Sequence, residues 1–279
     1  MDFDLRVSAS KKLLLVGHRG APAGNIPCNT ILSYEAAVRQ GADMIEIDVD
    51  MSADGELFIF HPGMEHAHLN APGIDITKMT ADEVKRLRFV NTDDTPTQFG
   101  LNTFDEVLER FKGRCYINVD KFWEHPKEVS ERIRAHGMTE QILVKTRPEP
   151  GVLSLIEEYA PDMQYMAIVK NDGEAIHEEL KKRRINYMGQ ELLFTRDDDP
   201  VCSDAYLDLL RRDNILSWVN TLVYSYRAVL SGGHSDDISI EHPEDGWGWC
   251  AKKGFDFIQT DWIAMCRDYL QEQELLYRK

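Results

Sequence analysis

Met44-Ile45-Glu46-Ile47-Asp48-Val49 reads as a strand with one acidic and one apolar face. Successive side chains of an extended chain alternate sides, so Glu46 and Asp48 share a face and the isoleucines take the other. At about 3.3 Å rise per residue the two carboxylates sit about 7 Å apart along the strand, close enough to lean onto one divalent cation. Left unpaired in a closed core they would be very costly. Three further runs repeat the pattern of an apolar strand that delivers polar residues at its C-terminal end. Leu13-Leu14-Leu15-Val16-Gly17 leads to His18-Arg19-Gly20, Leu57-Phe58-Ile59-Phe60 leads to His61, and Cys115-Tyr116-Ile117-Asn118-Val119-Asp120-Lys121 places Asn118 and Asp120 on one face. Two imidazoles and the carboxylates of Glu46, Asp48 and Asp120 are thereby expected at one rim of a sheet. Carboxylates without a thiolate nearby suit a hard cation such as Mg²⁺ or Ca²⁺ better than zinc. The alternatives are a helix cap or an arginine pair for Glu46 and Asp48, and Asn118 as the inward group in place of Asp120.

Apolar strands alternate with amphipathic stretches along the whole chain. Strands are predicted at 13–17, 43–49, 57–60, 115–120, 141–146, 163–169, 186–192, 215–219 and 255–260. Helices are predicted from Ile31 to Gln40, His125 to His136, Pro150 to Tyr159, Gly173 to Arg184, Ser203 to Arg212, Gly246 to Lys253 and Ile263 to Leu276. Gly41, Gly137 and Gly254 supply helix stops. Repeated βα units imply a parallel sheet with right-handed crossovers. About eight units over about 250 residues is the size of a closed (β/α)8 TIM-type barrel, with 57–60 as a hairpin-like extra piece. A doubly wound open sheet is the alternative α/β architecture. No repeat or low-complexity tract divides the chain, so 1–279 reads as one domain. The one long connection, 62–102, carries a helical signal at Thr80-Ala81-Asp82-Glu83-Val84-Lys85-Arg86-Leu87, where Thr80 and Glu83 form a capping-box pattern. An insertion of that length near the site reads as a lid or a specificity element.

With 279 residues, 43% of them hydrophobic, the chain can bury a full core. Its net charge of −16 disfavours nucleic acid or an anionic membrane as the main partner, so any anion must be held by a local site. Met1-Asp2-Phe3-Asp4-Leu5-Arg6 has no basic leader character, and Leu13 to Val16 is too short for a signal-peptide core or a membrane span. A cytoplasmic enzyme without stable membrane insertion is the expectation. Cys28, Cys115, Cys202, Cys250 and Cys266 are odd in number and include no Cys-x-x-Cys pair, which argues against a disulfide framework or a thiolate metal site.

Taken together, the motifs resemble those of the glycerophosphodiester phosphodiesterase family. The resemblance is carried by His18-Arg19-Gly20 with Pro27-Cys28-Asn29-Thr30, and by Gly41-Ala42-Asp43-Met44-Ile45-Glu46-Ile47-Asp48-Val49. Asp54-Gly55 with His61, Asn102-Thr103-Phe104-Asp105-Glu106-Val107-Leu108, and Gly254-Phe255-Asp256-Phe257-Ile258-Gln259-Thr260-Asp261 extend it nearly to the end of the chain. It implies a (β/α)8 barrel in which 62–102 is the family's insertion. It also implies metal-assisted cleavage of a small-molecule glycerophosphodiester to sn-glycerol 3-phosphate and an alcohol. By position it implies Glu46, Asp48 and Asp120 as ligands of Mg²⁺ or Ca²⁺, with Mn²⁺ as a third choice, and His18 and His61 as general base and general acid. Arg19 would present a planar fork to the phosphate, its alternative being a buried structural fork. Attack by the substrate's own glycerol 2-hydroxyl, followed by hydrolysis of a cyclic phosphate, is the route usually drawn for such enzymes.

The chain departs from the family pattern in three places. Cys28 stands where Glu is commonest and reads as a small apolar packer; Pro62 stands where Asp is usual. Asp120 and Lys121 are adjacent where the family spaces its acid and lysine by two, and a regular strand would turn them to opposite faces. Lys121 is one candidate for a phosphate-binding cation, and Lys145, closing Ile142-Leu143-Val144, is an independent candidate for the same role. Trp218 and Trp262 are candidates for an apolar wall against the substrate, with core packing as the alternative. His66-Ala67-His68 has the look of a metal pair but lies in a polar loop and reads as incidental. Gly232-Gly233-His234-Ser235-Asp236-Asp237 with Gly246-Trp247-Gly248-Trp249 resembles a sub-branch signature and is expected to shape a βα loop at the rim. Thr260-Asp261 offers a strand-end hydrogen bond or a cap for the helix after Trp262. Two other functions fit the same frame: a phospholipase-D-like enzyme on lysophospholipids, which needs an apolar groove, and a non-catalytic barrel, for which Cys28 and Pro62 are the hints.

Overall fold

The computed structural model describes residues 3–225, 228 and 230–278, so Met1 and Asp2 of the leader reading lie outside the described residues. Among the described residues nine strands form: β1 (Leu14–Gly17), β2 (Met44–Met51), β3 (Leu57–Ile59), β4 (Tyr116–Asp120), β5 (Ile142–Thr146), β6 (Gln164–Val169), β7 (Tyr187–Leu192), β8 (Leu216–Asn220) and β9 (Phe257–Thr260). All but β3 are parallel, and β1 pairs with both β2 and β9, which closes the other eight into a barrel. That closure excludes the doubly wound sheet, which would leave two free edges. β3 lies outside the ring, antiparallel on the far end of β2 with Val49 opposite Ile59 and Met51 opposite Leu57, as the hairpin-like reading expects.

The seven predicted helices form, two of them shorter than expected. Gly173–Leu180 stops before Arg183, whose guanidinium is drawn to Glu157 and Glu179. Ile263–Glu272 stops where Glu274 turns left-handed, at φ 57°, and sends Leu275 and Leu276 back onto the carbonyl of Leu270. Besides the single turn Glu65–His68, which forms where a polar loop was expected around His66 and His68, three helices among the described residues escaped prediction: Leu5–Lys11, Phe104–Phe111 and Asp236–Glu241. The second had a legible signal, with Thr103 and Glu106 forming a capping box ahead of apolar Phe104, Val107, Leu108 and Phe111. No helix among the described residues is long and apolar enough to cross a membrane.

Each barrel strand changes character along its length, and this places the site. Leu14, Val16, Met44, Tyr116, Leu143, Met166, Leu216 and Phe257 pack inside the lower barrel, with Leu5 and Ala9 of the first helix closing it from below. Following the two-residue period upward, the same inward faces carry His18, Glu46, Asp48, Asn118, Asp120, Lys145 and Asn220. Outward residues such as Leu15, Ile45, Ile47, Ile117 and Val119 join the main core under the helices. On β7 the register slips next to Tyr165 and Met166. The slip lets Met188 and Glu191, three residues apart, both serve the interior. Gly189 lies in that bulge, where a Cβ would meet the Leu216 carbonyl oxygen at 2.5 Å. The 62–102 insertion folds over β3 around a small core of its own, built from Phe58, Phe60, Leu69, Ile76, Val84, Phe89 and Leu101.

Candidate active site

Parallel pairing of β2 with β4 sets Glu46 opposite Asn118 and Asp48 opposite Asp120, so the acids gather by register. Oxygens of Glu46, Asp48 and Asp120 lie within 4.8 Å of one another. Each acid commits an oxygen to the protein. Glu46 Oε2 accepts the Arg19 backbone N–H at 2.9 Å, Asp48 Oδ2 accepts Asn29 Nδ2 at 2.9 Å, and Asp120 Oδ2 accepts Lys121 Nζ at 3.0 Å. Asp48 Oδ1 and Asp120 Oδ1 are buried with no partner. Burial, and then the charge of Asp48, push the Glu46 carboxyl up to about 7. Burial works against ionised Asp120 too, but Lys121 and Lys145 overcome it and hold its pKa below the usual value. A crowded set of hard oxygen donors with free buried lone pairs fits a divalent cation bound by Glu46, Asp48 and Asp120.

The loop after β1 wraps this cluster. Arg19 and Asn29 are both left-handed, at φ 54°, and Gly20 between them could not be replaced cheaply, because a Cβ there would meet the Ser33 backbone at 2.6 Å. The turn brings Arg19 Nε to 2.9 Å from Asp48 Oδ2 and leaves its guanidinium near the Tyr224 ring, 5.9 Å from the centroid. Asn29, passed over in the sequence reading although it stood inside a quoted motif, is held by Tyr34 Oη at 2.8 Å and holds Asp48 in turn. Cys28 is half-buried with Sγ 3.8 Å from His68 Nδ1, and burial pushes its thiol up to about 12.

His18 Nδ1 lies 2.8 Å from Asp261 Oδ1, while its Nε2 is buried and unpartnered. Burial lowers the basicity of His18, but Asp261 and Glu46 outweigh it and the pKa is raised. Asp261 thus makes the strand-end hydrogen bond rather than a helix cap. His61 donates Nδ1–H to the Pro62 carbonyl at 2.9 Å, and burial lowers its pKa against the opposing pull of Asp48. His61 lines a cavity of about 800 Å³ together with Asp120, Lys121, Arg147, Lys170 and Tyr224.

The cations and tryptophans sort differently from their sequence reading. Lys121 ends the strand in a left-handed conformation, φ 58°, so it swings back beside Asp120 instead of pointing to the opposite face. Lys145 is 2% exposed, donates to Glu191 Oε2 at 2.6 Å and sits 4.0 Å from the Trp218 ring centroid. Its ammonium is paired with Glu191 and lies outside the cavity lining. Trp218 is fully buried and bonds Asn220 Oδ1 at 2.8 Å, so it supports Lys145 and forms no wall of the cavity. Trp262 is 46% exposed and lies outside the cavity lining. His66 and His68 do not share a ligand point: His66 lines a separate cleft with Asp50, whereas His68 faces Cys28. The other possible metal-holding group among the described residues, His242 with Glu244 and Asp245, is wholly exposed. Glu191 was not legible from alternation, because the β7 bulge shifts the phase that would identify it.

A model of the glycerophosphoryl diester phosphodiesterase family matches residues 18–217, and one described as a domain of unknown function matches residues 165–270. A glycerophosphodiester phosphodiesterase of Bacillus subtilis is 37% identical over 109 residues, 36% of this chain and 36% of that protein. The chain thus spans about a third of the length of that curated relative. A glycerophosphoryl diester phosphodiesterase structure from Parabacteroides distasonis matches with a TM-score of 0.76 at 15% identity, covering 96% of this chain and 91% of that one. The structure of an Oleispira antarctica phosphodiesterase in complex with the product sn-glycerol-3-phosphate matches with a TM-score of 0.70 at 17% identity, covering 93% and 97%. Both share this fold.

Proposed function

This chain belongs to the glycerophosphoryl diester phosphodiesterase family, and from that premise we propose that it hydrolyses small glycerophosphodiesters to sn-glycerol 3-phosphate and an alcohol. The observation that carries the reading is a group of buried atoms left without partners on β2 and β4 and just after β1, among them Asp48 Oδ1, Asp120 Oδ1 and His18 Nε2. The first two suit a divalent cation, Mg²⁺ or Ca²⁺ with Mn²⁺ as a third choice. When bound, such a cation supplies neutralisation of the phosphate charge.

The protein's own groups divide the remaining work. His18 Nε2 is an acceptor positioned to take a proton from the attacking hydroxyl, and His61, whose Nδ1 is committed to Pro62, has Nε2 left for delivering a proton to the departing oxygen. Arg19 and Lys121 stay charged beside the acids, raised above their ordinary values against the burial that opposes them, and provide the positive rim for an anionic substrate. The cavity wall sets charged residues, including Arg147, Glu149, Lys170 and Asp172, beside apolar ones, Trp123, Ile168, Ile176, Leu193 and Leu230. The net charge of −16, which disfavours docking on an anionic lipid surface, supports deacylated substrates over lysophospholipids. The intact set of acids and histidines speaks against the non-catalytic reading.

The test is release of sn-glycerol 3-phosphate from a panel of glycerophosphodiesters and lysophospholipids, with and without a chelator. Turnover of the deacylated compounds, abolished by chelation and restored by Mg²⁺, Mn²⁺ or Ca²⁺, is the expected result. Full activity in excess chelator would remove the metal from the mechanism, and turnover of the lysophospholipids alone would transfer the assignment to the second class.

A further inference from the structure

Asp236 is a buried carboxylate far from the acid cluster in sequence, yet it governs the turn that follows β9. Its Oδ1 accepts from Thr221 Oγ1 at 2.7 Å, Thr260 Oγ1 at 2.7 Å and Trp247 Nε1 at 2.8 Å, and its Oδ2 accepts the Asp261 backbone N–H at 2.9 Å. Thr260 Oγ1 in turn accepts the Trp262 N–H at 2.9 Å. The turn carrying Asp261 is therefore gripped on both sides, by a segment that includes both Gly-rich pieces of the sub-branch signature. Asp261 then reaches His18 Nδ1 at 2.8 Å.

An ionised carboxylate can only accept, so the ring proton of neutral His18 sits on Nδ1 and the lone pair on Nε2 faces the site. The Asp261 side chain is 40% exposed, and water would compete for it if its backbone were free to move. We infer that Asp261 is a positioning residue that fixes the tautomer and ring orientation of His18, and that Asp236 is the buried anchor that keeps Asp261 in place. The inference rests on His18 serving as the base in the reaction proposed above.

Nitrogen-15 NMR of the imidazoles, in protein supplied with Mg²⁺ and with His18 assigned by difference against His18→Gln, reads the tautomer directly. Wild-type His18 should carry its proton on Nδ1, and Asp261→Ala should shift population toward Nε2–H. In the same variant turnover should fall about 10²-fold or more with KM changed less than about threefold, as expected when a base is left in the wrong tautomer. In Asp236→Asn the amide oxygen should face the three donors at Oδ1, which turns the amide NH₂ against the Asp261 N–H. Turnover should then drop about tenfold or more, with partial loss of the tautomer preference. If that variant does not fold, Thr260→Val, which cuts the link between Asp236 and the Trp262 N–H, should move both readouts in the same direction.

A proton on Nε2 in the wild type, or an Asp261→Ala protein with unchanged tautomer and turnover, overturns the positioning role. A folded Asp236→Asn or Thr260→Val protein indistinguishable from wild type in both readouts overturns the anchor. Should the wild type turn over no glycerophosphodiester, the proposed reaction fails on its own, while the tautomer in wild type and Asp261→Ala still decides this inference.

Discussion

Magnesium affinity should fall steeply below pH 7, through proton competition at one residue. Burial first, and Asp48 second, move the Glu46 carboxyl from its ordinary 4.5 to about 7 in the cation-free protein. The folded value lies above the unfolded one, so ionising Glu46 costs stability. The cost is absent below about pH 4.5, grows toward pH 7 and is constant above it, reaching at most about 3 kcal/mol at about 1.36 kcal/mol per unit. A cation held by Glu46, Asp48 and Asp120 requires the ionised form and must displace the proton below pH 7. Apparent affinity should therefore drop about tenfold per unit, or about 30-fold from pH 8 to pH 5.5, which is about 2 kcal/mol.

Calorimetric Mg²⁺ titration across that range, with thermal unfolding in the presence and absence of the ion, measures both sides of this linkage. Mg²⁺ should raise Tm more at pH 8 than at pH 5.5. Glu46→Gln should bind more weakly and show a flattened pH dependence, because the competing proton has been removed with the carboxylate. Equal wild-type affinity at pH 5.5 and pH 8 would refute the reasoning, since Glu46 would then be ionised at both values without the cation's help.

Three other outcomes are expected. His18→Ala and His61→Ala should each lower turnover of glycerophosphocholine by about 10²-fold or more while melting changes little. Near-normal turnover in His61→Ala would assign proton delivery to another group. Cys28→Glu would set a carboxylate near Arg19 in competition with Asp48, changing metal affinity or turnover by about tenfold, whereas identical kinetics and metal titrations would make Cys28 an ordinary packing residue. Away from the site, Arg114 and Arg110 hold the Glu35 carboxyl down to about 2, below its unfolded value, so this contribution is full above about pH 4.5 and is lost as pH falls toward 2. With both arginines more than a third exposed, solvent screening reduces the effect of Glu35→Gln to about 1 kcal/mol at pH 7; a Tm loss there that persists undiminished below pH 4 would contradict the ion-pair account.

The barrel was legible because its signal is repetitive and local. Short apolar strands set between amphipathic stretches specify parallel βα units whatever the details of packing. Closure itself was only one of two architectures the sequence allowed, because the pairing of β9 with β1 joins residues about 240 apart and leaves no local mark. The shorter elements failed for a different reason. Asp236–Glu241 has few residues in which a helical period can register, and it is held mainly by contacts from elsewhere, including the Asp236 bonds to Thr221, Thr260 and Trp247.

The candidate site divides along the same line. Glu46 and Asp48 could be paired on paper because strand alternation alone puts them on one face, and Asp120 could be added because an adjacent strand repeats the pattern. Lys121 could not be placed, since its approach to Asp120 depends on a left-handed residue at the very point where alternation ends. Lys145 and Trp218 do face the barrel interior, but alternation says nothing about depth. It does not reveal that Glu191, brought inward by a bulge two strands away, pairs with the ammonium. The chemistry-bearing groups were thus readable wherever backbone periodicity fixes direction, and unreadable wherever a partner distant in sequence decides which of two charged groups remains free.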